Sequence, residues 1–314
     1  MTKLPNKEFR KLVPKLRKKG FYEHKEIRQI SWPEYSSAQI EEAKGILKFI
    51  KMEVDACQLP FVNGKTGKPL TNPKSLAKAI LMSEFMQLTE RQSQGWTELL
   101  GPFMLIKELL DDRVIGEAYN NPEVLYVLEQ VFQNTKSSDG KLSGDGTGLE
   151  RSRKENYAST KNTKKCDYLV NIVDSREIVQ AFEINEQECK SMHSLIMEVE
   201  GNSLRLDAGF VDRELTKKID DEGMIPYIFP KKNLVLNGSL AWKNMYLDLY
   251  NDVMNWLEEY HKRSHSESFY SSFKRKNGII LKRRPTARLS QVTARIIIHN
   301  ARKLAYYNKL TKVS

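Results

Sequence analysis

The chain has 314 residues, with 51 Lys plus Arg against 40 Asp plus Glu, a net charge of +11. Hydrophobic residues make up 40% and charged residues 29%, a globular balance that excludes whole-chain disorder and collagen-like repeats. No apolar run approaches the roughly 18 residues a membrane helix needs, and the charged opening MTKLPNKEFRKLVPKLRKKG lacks the apolar core of a secretory signal.

Residues 1 to about 70 read as irregular apart from one amphipathic stretch. There Ser37 caps a helix in which Ile40, Ile46, Leu47, Ile50 and Val54 recur at helical spacing. After Asn72-Pro73 the pattern is helical from Lys74 to Leu88. A second helix opens at Thr89, with Gln92 completing a capping box, and ends near Gly101-Pro102. Helical spacing returns over Leu105–Leu110, and again after Asn121-Pro122 with Val124, Leu125, Leu128, Val131 and Phe132. The short helix after Thr89 permits a helix-turn-helix, beside the plainer reading of two packed helices.

The turn-rich segment 137–141 marks a boundary, placing an N-terminal region with a helical module at 1–137 and a second domain at 138–314. Tyr168–Val173 and Ile178–Ile184 read as a hairpin joined by Asp174-Ser175-Arg176-Glu177. Then come a helix at Glu188–Glu200, a strand at Ser203–Phe210, a helix at Asp212–Glu222 and a strand at Met224–Phe229. One long helical region is predicted from about Ser239 through Tyr260 and beyond, and a last helix at Ser290–Leu310. Strands alternating with helices predict a mixed α/β domain with a parallel component.

Cys57, Cys166 and Cys189 are too few and too scattered for a disulfide framework or a Cys-x-x-Cys zinc site, so the chain reads as a protein of a reducing compartment. The distribution of charge says more than its total. From Ser268 to Ser314 there are 12 Lys or Arg and no Asp or Glu; residues 1–30 hold ten Lys or Arg against Glu8, Glu23 and Glu26. Basic blocks interleaved with aromatic and aliphatic residues point to a polyanion, because each neutralised phosphate releases counterions.

Tyr260, Arg263, Glu267 and Lys274, at offsets of 3, 7 and 14, fall within about 60° of arc on a continuous helix, a stripe about 21 Å long that spans some six phosphates. Arg and Lys would neutralise phosphate and Tyr would donate a hydrogen bond, while Glu267 would repel DNA unless a divalent cation stood between them. The ordinary alternative is an exposed helix face with one Arg263–Glu267 pair worth a few tenths of a kcal/mol. Asp145, in Ser143-Gly144-Asp145-Gly146-Thr147-Gly148, is not in a phosphate loop, since Gly-x-x-x-x-Gly-Lys is absent. Its glycines would let a backbone approach, but do not by themselves read as a central strand. Asp207 ends an apolar strand, a usual place for ligands in open α/β sheets. Asp139, Asp174 and Asp212 are comparable turn residues. His261 and His265 stand four apart, but Lys262 replaces the Glu of a His-Glu-x-x-His zinc motif.

Together these residues resemble the DDE transposases of the insertion-sequence type. Tyr260-x-x-Arg263-x-x-x-Glu267-x-x-x-x-x-x-Lys274 matches the Tyr-Arg-Glu-Lys signature of one large group of them, spacing for spacing. Gly144-Asp145-Gly146-Thr147-Gly148 is similar to the segment carrying the family's first Asp, and Leu206-Asp207-Ala208-Gly209-Phe210 to that carrying the second. The resemblance covers roughly residues 140 to 280. It implies an α/β fold, an RNase H-like mixed sheet flanked by helices, preceded by the helical module. The first Asp would lie on the first strand, the second after the fourth, and the Glu on a later helix. It further implies two Mg²⁺ ions, with Mn²⁺ as a substitute, held by Asp145, Asp207 and Glu267 as catalytic and metal-binding residues. Without metal, three clustered carboxylates would repel, so one is expected to hold a proton. Tyr260, Arg263 and Lys274 would bind DNA. The expected partners are double-stranded DNA, as terminal inverted repeats and target, and a second copy of the chain on that DNA. The expected location is the cytoplasm, at the nucleoid. The alternatives are a non-catalytic DNA-binding protein derived from a transposase, or another RNase H-like nuclease such as a junction resolvase.

Overall fold

The computed structural model describes residues 5–23, 30–60, 71–152, 166–185 and 188–310. In chain order the helices that come first are α1 (Asn6–Leu16), α2 (Trp32–Ala56), α3 (Pro73–Met86), α4 (Glu90–Met104), α5 (Asp112–Ala118) and α6 (Pro122–Thr135). Next come β1 (Lys141–Arg151), β2 (Cys166–Val173), β3 (Val179–Asn185), α7 (Glu188–Leu195), β4 (Ser203–Leu206), α8 (Arg213–Asp221) and β5 (Ile225–Ile228). The chain closes with α9 (Leu240–Asn251), α10 (Val253–His261), α11 (Ser264–Asn277), β6 (Ile279–Ile280) and α12 (Pro285–Leu310).

The chain divides into two compact units. One draws on Met1–Gln29, Ser137–Leu149 and Cys166–Lys276; the other on Ile30–Lys136, Glu150–Lys165 and Asn277–Ser314. Among the described residues the sheet is six-stranded and mixed, in the order β3-β2-β1-β4-β5, with β6 pairing the far end of β1. β1, β4 and β5 run parallel, whereas β2 and β3 form an antiparallel hairpin. With helices flanking this sheet, the fold is α/β and RNase H-like. The hairpin turn holds because Asp174 accepts hydrogen bonds from the amides of Arg176 and Ile178, both at 2.9 Å, while Glu177 takes a left-handed φ of 66°.

In the sheet unit α7 packs on β2 and β3, and α8, α9 and α10 pack on β5. Its core runs through Leu142, Val170, Ile172, Leu204, Leu206, Trp242 and Tyr246. The segment read from sequence as irregular contains α1, whose Phe9, Val13 and Leu16 join that core. Their spacing of four and three residues puts them on one helix face. In a stretch so rich in Lys that narrow stripe is easily overlooked.

The second unit is helical, with α12 packed on α2, α3 and α6. Its helix starts follow sequence closely. Asn72 and Asn121 each cap a helix that opens with proline, and Thr89 with Gln92 forms the expected capping box. Three expectations need correction. α2 starts at Trp32, with Pro33 in its first turn rather than a cap at Ser37, and Ile40 lies on its outer face, 84% exposed. Residues 105–110 are not helical, because Leu105 takes a left-handed φ of 55° and the next helix waits for the Asp111 cap. The long region after Ser239 is three helices, divided at Asp252 and again at Lys262-Arg263.

Candidate active site

β1 and β4 are in register with Gly144 opposite Leu206, so Asp145 and Asp207 are the next residues along two adjacent parallel strands. The glycine-rich stretch is therefore a strand after all. A Cβ on Gly144 would come within 2.7 Å of Leu206 Cδ2 and 2.8 Å of Met192 Cε, so glycine leaves room for the ends of these two side chains. Gly144→Ala is expected to lose about 1–3 kcal/mol by overpacking, read as a lower urea midpoint.

Asp145 lies on β1, Asp207 just beyond β4, and Glu267 in the first turn of α11. Arg263 joins two of them: its Nη1 stands 3.5 Å from Asp145 Oδ2, and its Nη2 donates to Glu267 Oε1. Burial pushes the Asp145 carboxyl above its ordinary range. The Gly146 amide and Arg263 pull it back, and the negative charges of Asp207 and Glu267 push it up again. Burial works against the charge on Arg263, but Tyr260, Glu267, Asp145 and Asp207 outweigh it, so its pKa is raised. Tyr260 is buried, stacked on Trp256 with centroids 5.4 Å apart, and burial pushes its phenol up to about 12.

The four signature residues do not share one continuous helix. Tyr260 is in the last turn of α10, Arg263 is in the turn that follows, and Glu267 and Lys274 are on α11. Neither a phosphate-length stripe nor a plain exposed helix face describes them. The fold brings Tyr260, Arg263 and Glu267 together with Asp145 and Asp207. Lys274 is exposed seven residues beyond Glu267, and no described contact joins it to the other five.

The other aspartates behave differently. Asp139 accepts from the Lys141 amide at 3.0 Å, Asp174 holds the hairpin, and Asp212 caps α8. Two residues with a part in the geometry escaped the sequence reading. Tyr270, one turn past Glu267, donates to the carbonyls of Asp145 at 2.7 Å and Leu169 at 3.0 Å, tying α11 to β1 and β2. Arg205, 1% exposed on β4, bonds the carbonyl of Glu259 at 2.6 Å. Its signal in sequence was a single charge inside the apolar Ser203-Leu204-Arg205-Leu206.

Among the described residues no three His, Cys, Asp or Glu side chains are grouped to hold a metal ion. The donor chemistry nonetheless suits a hard divalent cation: the charges of Asp207 and Glu267 both act on the Asp145 carboxyl, and the Arg263 guanidinium is the counter-charge. Three like charges of this kind call for a cation among them, and Arg263 supplies one.

The family model described as "Transposase DDE domain" matches residues 137–301. The chain belongs to this family, the DDE transposases. It is also 26% identical over 282 residues to the "Probable transposase for insertion sequence element ISA1214" of Archaeoglobus fulgidus, covering 82% of this chain and 85% of that one. No solved structure matches. A DDE transposase of the insertion-sequence type is an enzyme that acts on DNA. Among the described residues no helix is long and apolar enough to cross a membrane.

Proposed function

We propose that this transposase cuts the ends of its element and joins them to target DNA, by in-line attack of water or a DNA 3′-hydroxyl on phosphodiesters. This reading is supported by Arg263, which bonds both Asp145 and Glu267, and by the charges of Asp207 and Glu267 acting on the Asp145 carboxyl. The three carboxylates would hold two divalent ions, Mg²⁺ or Mn²⁺, which when bound supply an activated attacking oxygen and charge stabilisation at the leaving one. Arg263, which bonds Asp145 and Glu267, would steady the scissile phosphate, and Lys274 would meet DNA from the exposed face of α11. Tyr260, buried against Trp256, orients Arg263 from beneath the guanidinium, which lies 6.0 Å over its ring.

In this reading the helical unit supplies the module that recognises terminal inverted repeats, and the sheet unit, which holds Asp145, Asp207 and Glu267, is catalytic. Two copies associate on DNA to bring two ends together. The enzyme works in the cytoplasm, at the nucleoid. The test is incubation of an oligonucleotide carrying the element's terminal repeat with Mg²⁺ or with EDTA. A new 3′-hydroxyl at the repeat boundary, dependent on Mg²⁺, is expected. Salt-dependent binding without cleavage would instead make the chain a DNA-binding relative, and repeat-independent cutting of branched DNA would make it another nuclease.

A further inference from the structure

Arg205 stands two residues before Asp207 and is almost wholly buried. Its guanidinium is shared among three elements. Nε donates to the Glu259 carbonyl at 2.6 Å and Nη2 to the Glu259 carboxylate at 2.6 Å. Nη1 donates to the Leu142 carbonyl at 3.3 Å and to Ser203 Oγ at 3.1 Å. Leu142 lies three residues before Asp145 on β1, and Glu259 immediately precedes Tyr260 on α10.

The Glu259 carbonyl has a particular place in the chain. In a continuous α-helix it would accept from the Arg263 amide. Here the Arg263 amide bonds Tyr260 instead, at 3.0 Å, followed by His265 to Lys262 at 3.3 Å and Ser266 to Arg263 at 3.1 Å. These are the tighter three-residue bonds of a 3₁₀ turn. Ser143 Oγ of β1 donates to the Lys262 carbonyl at 3.3 Å. No Gly or Pro occurs between Val253 and Asn277, so the backbone itself does not demand the break. Side chains from β1 and β4, the strands that lead to Asp145 and Asp207, take up two of the carbonyls at the bend.

We propose that Arg205 is a positioning residue: by holding the Glu259 carbonyl it ends α10 and fixes the direction in which α11 presents Glu267 to Asp145 and Asp207. The proposal rests on the assignment of those carboxylates to metal. A simpler role for Arg205 would be to neutralise Glu259, which also pairs with Lys262. The two roles separate on conservative substitution. Arg205→Lys keeps the charge, but one ammonium cannot reproduce a planar fork that reaches the carbonyl, the carboxylate and Leu142 together.

The experiment is a Mn²⁺ titration of the full chain followed by electron paramagnetic resonance, with circular dichroism and melting to establish folding. Arg205→Lys is expected to remain folded and to bind Mn²⁺ about tenfold more weakly or worse, the usual scale for loss of an outer support of a metal site. Glu259→Gln, which retains the bond from Nε to the backbone, is expected to lose less. Folded Arg205→Lys with wild-type Mn²⁺ affinity would overturn the proposal. Should that variant not fold, Glu259→Lys takes its place: like-charge repulsion displaces the fork from a partly exposed position, with the same loss expected and wild-type affinity again decisive against. Asp207→Asn titrated in parallel separates the two layers. Undiminished Mn²⁺ binding there sinks the metal assignment itself; lost binding there with intact binding in Arg205→Lys removes the positioning role alone.

Discussion

Asp207→Asn and Glu267→Gln are each expected to reduce Mg²⁺-dependent release of 3′-hydroxyl ends by at least about 10²–10³-fold, the scale on which losing one preorganised charge stabiliser acts. Both changes preserve shape and remove one negative charge. Asp207 is half-buried at a strand end, and Glu267 contributes one i,i+4 pair with Arg263, worth a few tenths of a kcal/mol. Folding stability is therefore expected to stay within about 0.5 kcal/mol of wild type. The contrast between a large kinetic loss and a small thermodynamic one is what a ligand residue predicts and a structural residue does not.

A second measurement tightens the test. Any ligand that binds only the folded state raises stability by RT ln(1 + [L]/Kd), about 2.7 kcal/mol at a hundred times Kd. Mn²⁺ is expected to raise the melting temperature of wild type and to raise that of Asp207→Asn much less. Asp212 provides the comparison, because it is an N-cap whose side chain accepts from the amides of Glu214 and Leu215. Asn caps as well as Asp, so Asp212→Asn is expected to keep both cleavage and the Mn²⁺ shift. Equal behaviour of the two variants would reject the assignment of Asp207.

What could be read in the sequence was whatever is local. The hairpin at Asp174–Glu177, the capping box at Thr89 and the paired Asn-Pro starts of α3 and α6 depend on neighbours within four residues. The long-range features could not be read the same way. The helix break at Lys262-Arg263 engages Arg205 and Ser143, 54 and 119 residues distant in the hydrogen bonds they make. Gly144 looked like a loop glycine because its reason, the side chains of Leu206 and Met192, lies elsewhere in the chain. Part of the basic block likewise has a long-range reason. The acid-free stretch from Ser268 suggests a face for polyanions, yet Arg295 is buried against Glu84, Arg302 pairs with Glu42 and Lys282 with Glu90. The acidic partners were present in the sequence, but far from the block they neutralise.

That spent charge leads to the largest expected loss of stability. Glu84 on α3 accepts from Tyr119 Oη at 2.8 Å, Gln291 Nε2 at 2.8 Å and Arg295 Nε at 2.7 Å, joining α3 to the end of α5 and to α12. All three partners are buried, and the pair with Arg295 leaves only 7% and 9% of the two side chains exposed. Glu84→Ala would leave a guanidinium uncompensated and a phenol without its acceptor. Arg295 keeps its bonds to the carbonyls of Asn277 and Ile279, which answer its hydrogens but not its charge. The expected cost is about 3–5 kcal/mol, that of breaking one side of a buried pair. Native-state hydrogen exchange of α3 and α12 amides is the measurement, since it reports the helical unit separately from the sheet unit. Lys282→Ala, which breaks a pair with the half-exposed Glu90, is expected to cost about 1 kcal/mol or less. If both variants lost the same small amount, Glu84 would be one surface carboxylate among many, and the charge of Arg295 would have to be balanced elsewhere in the unit.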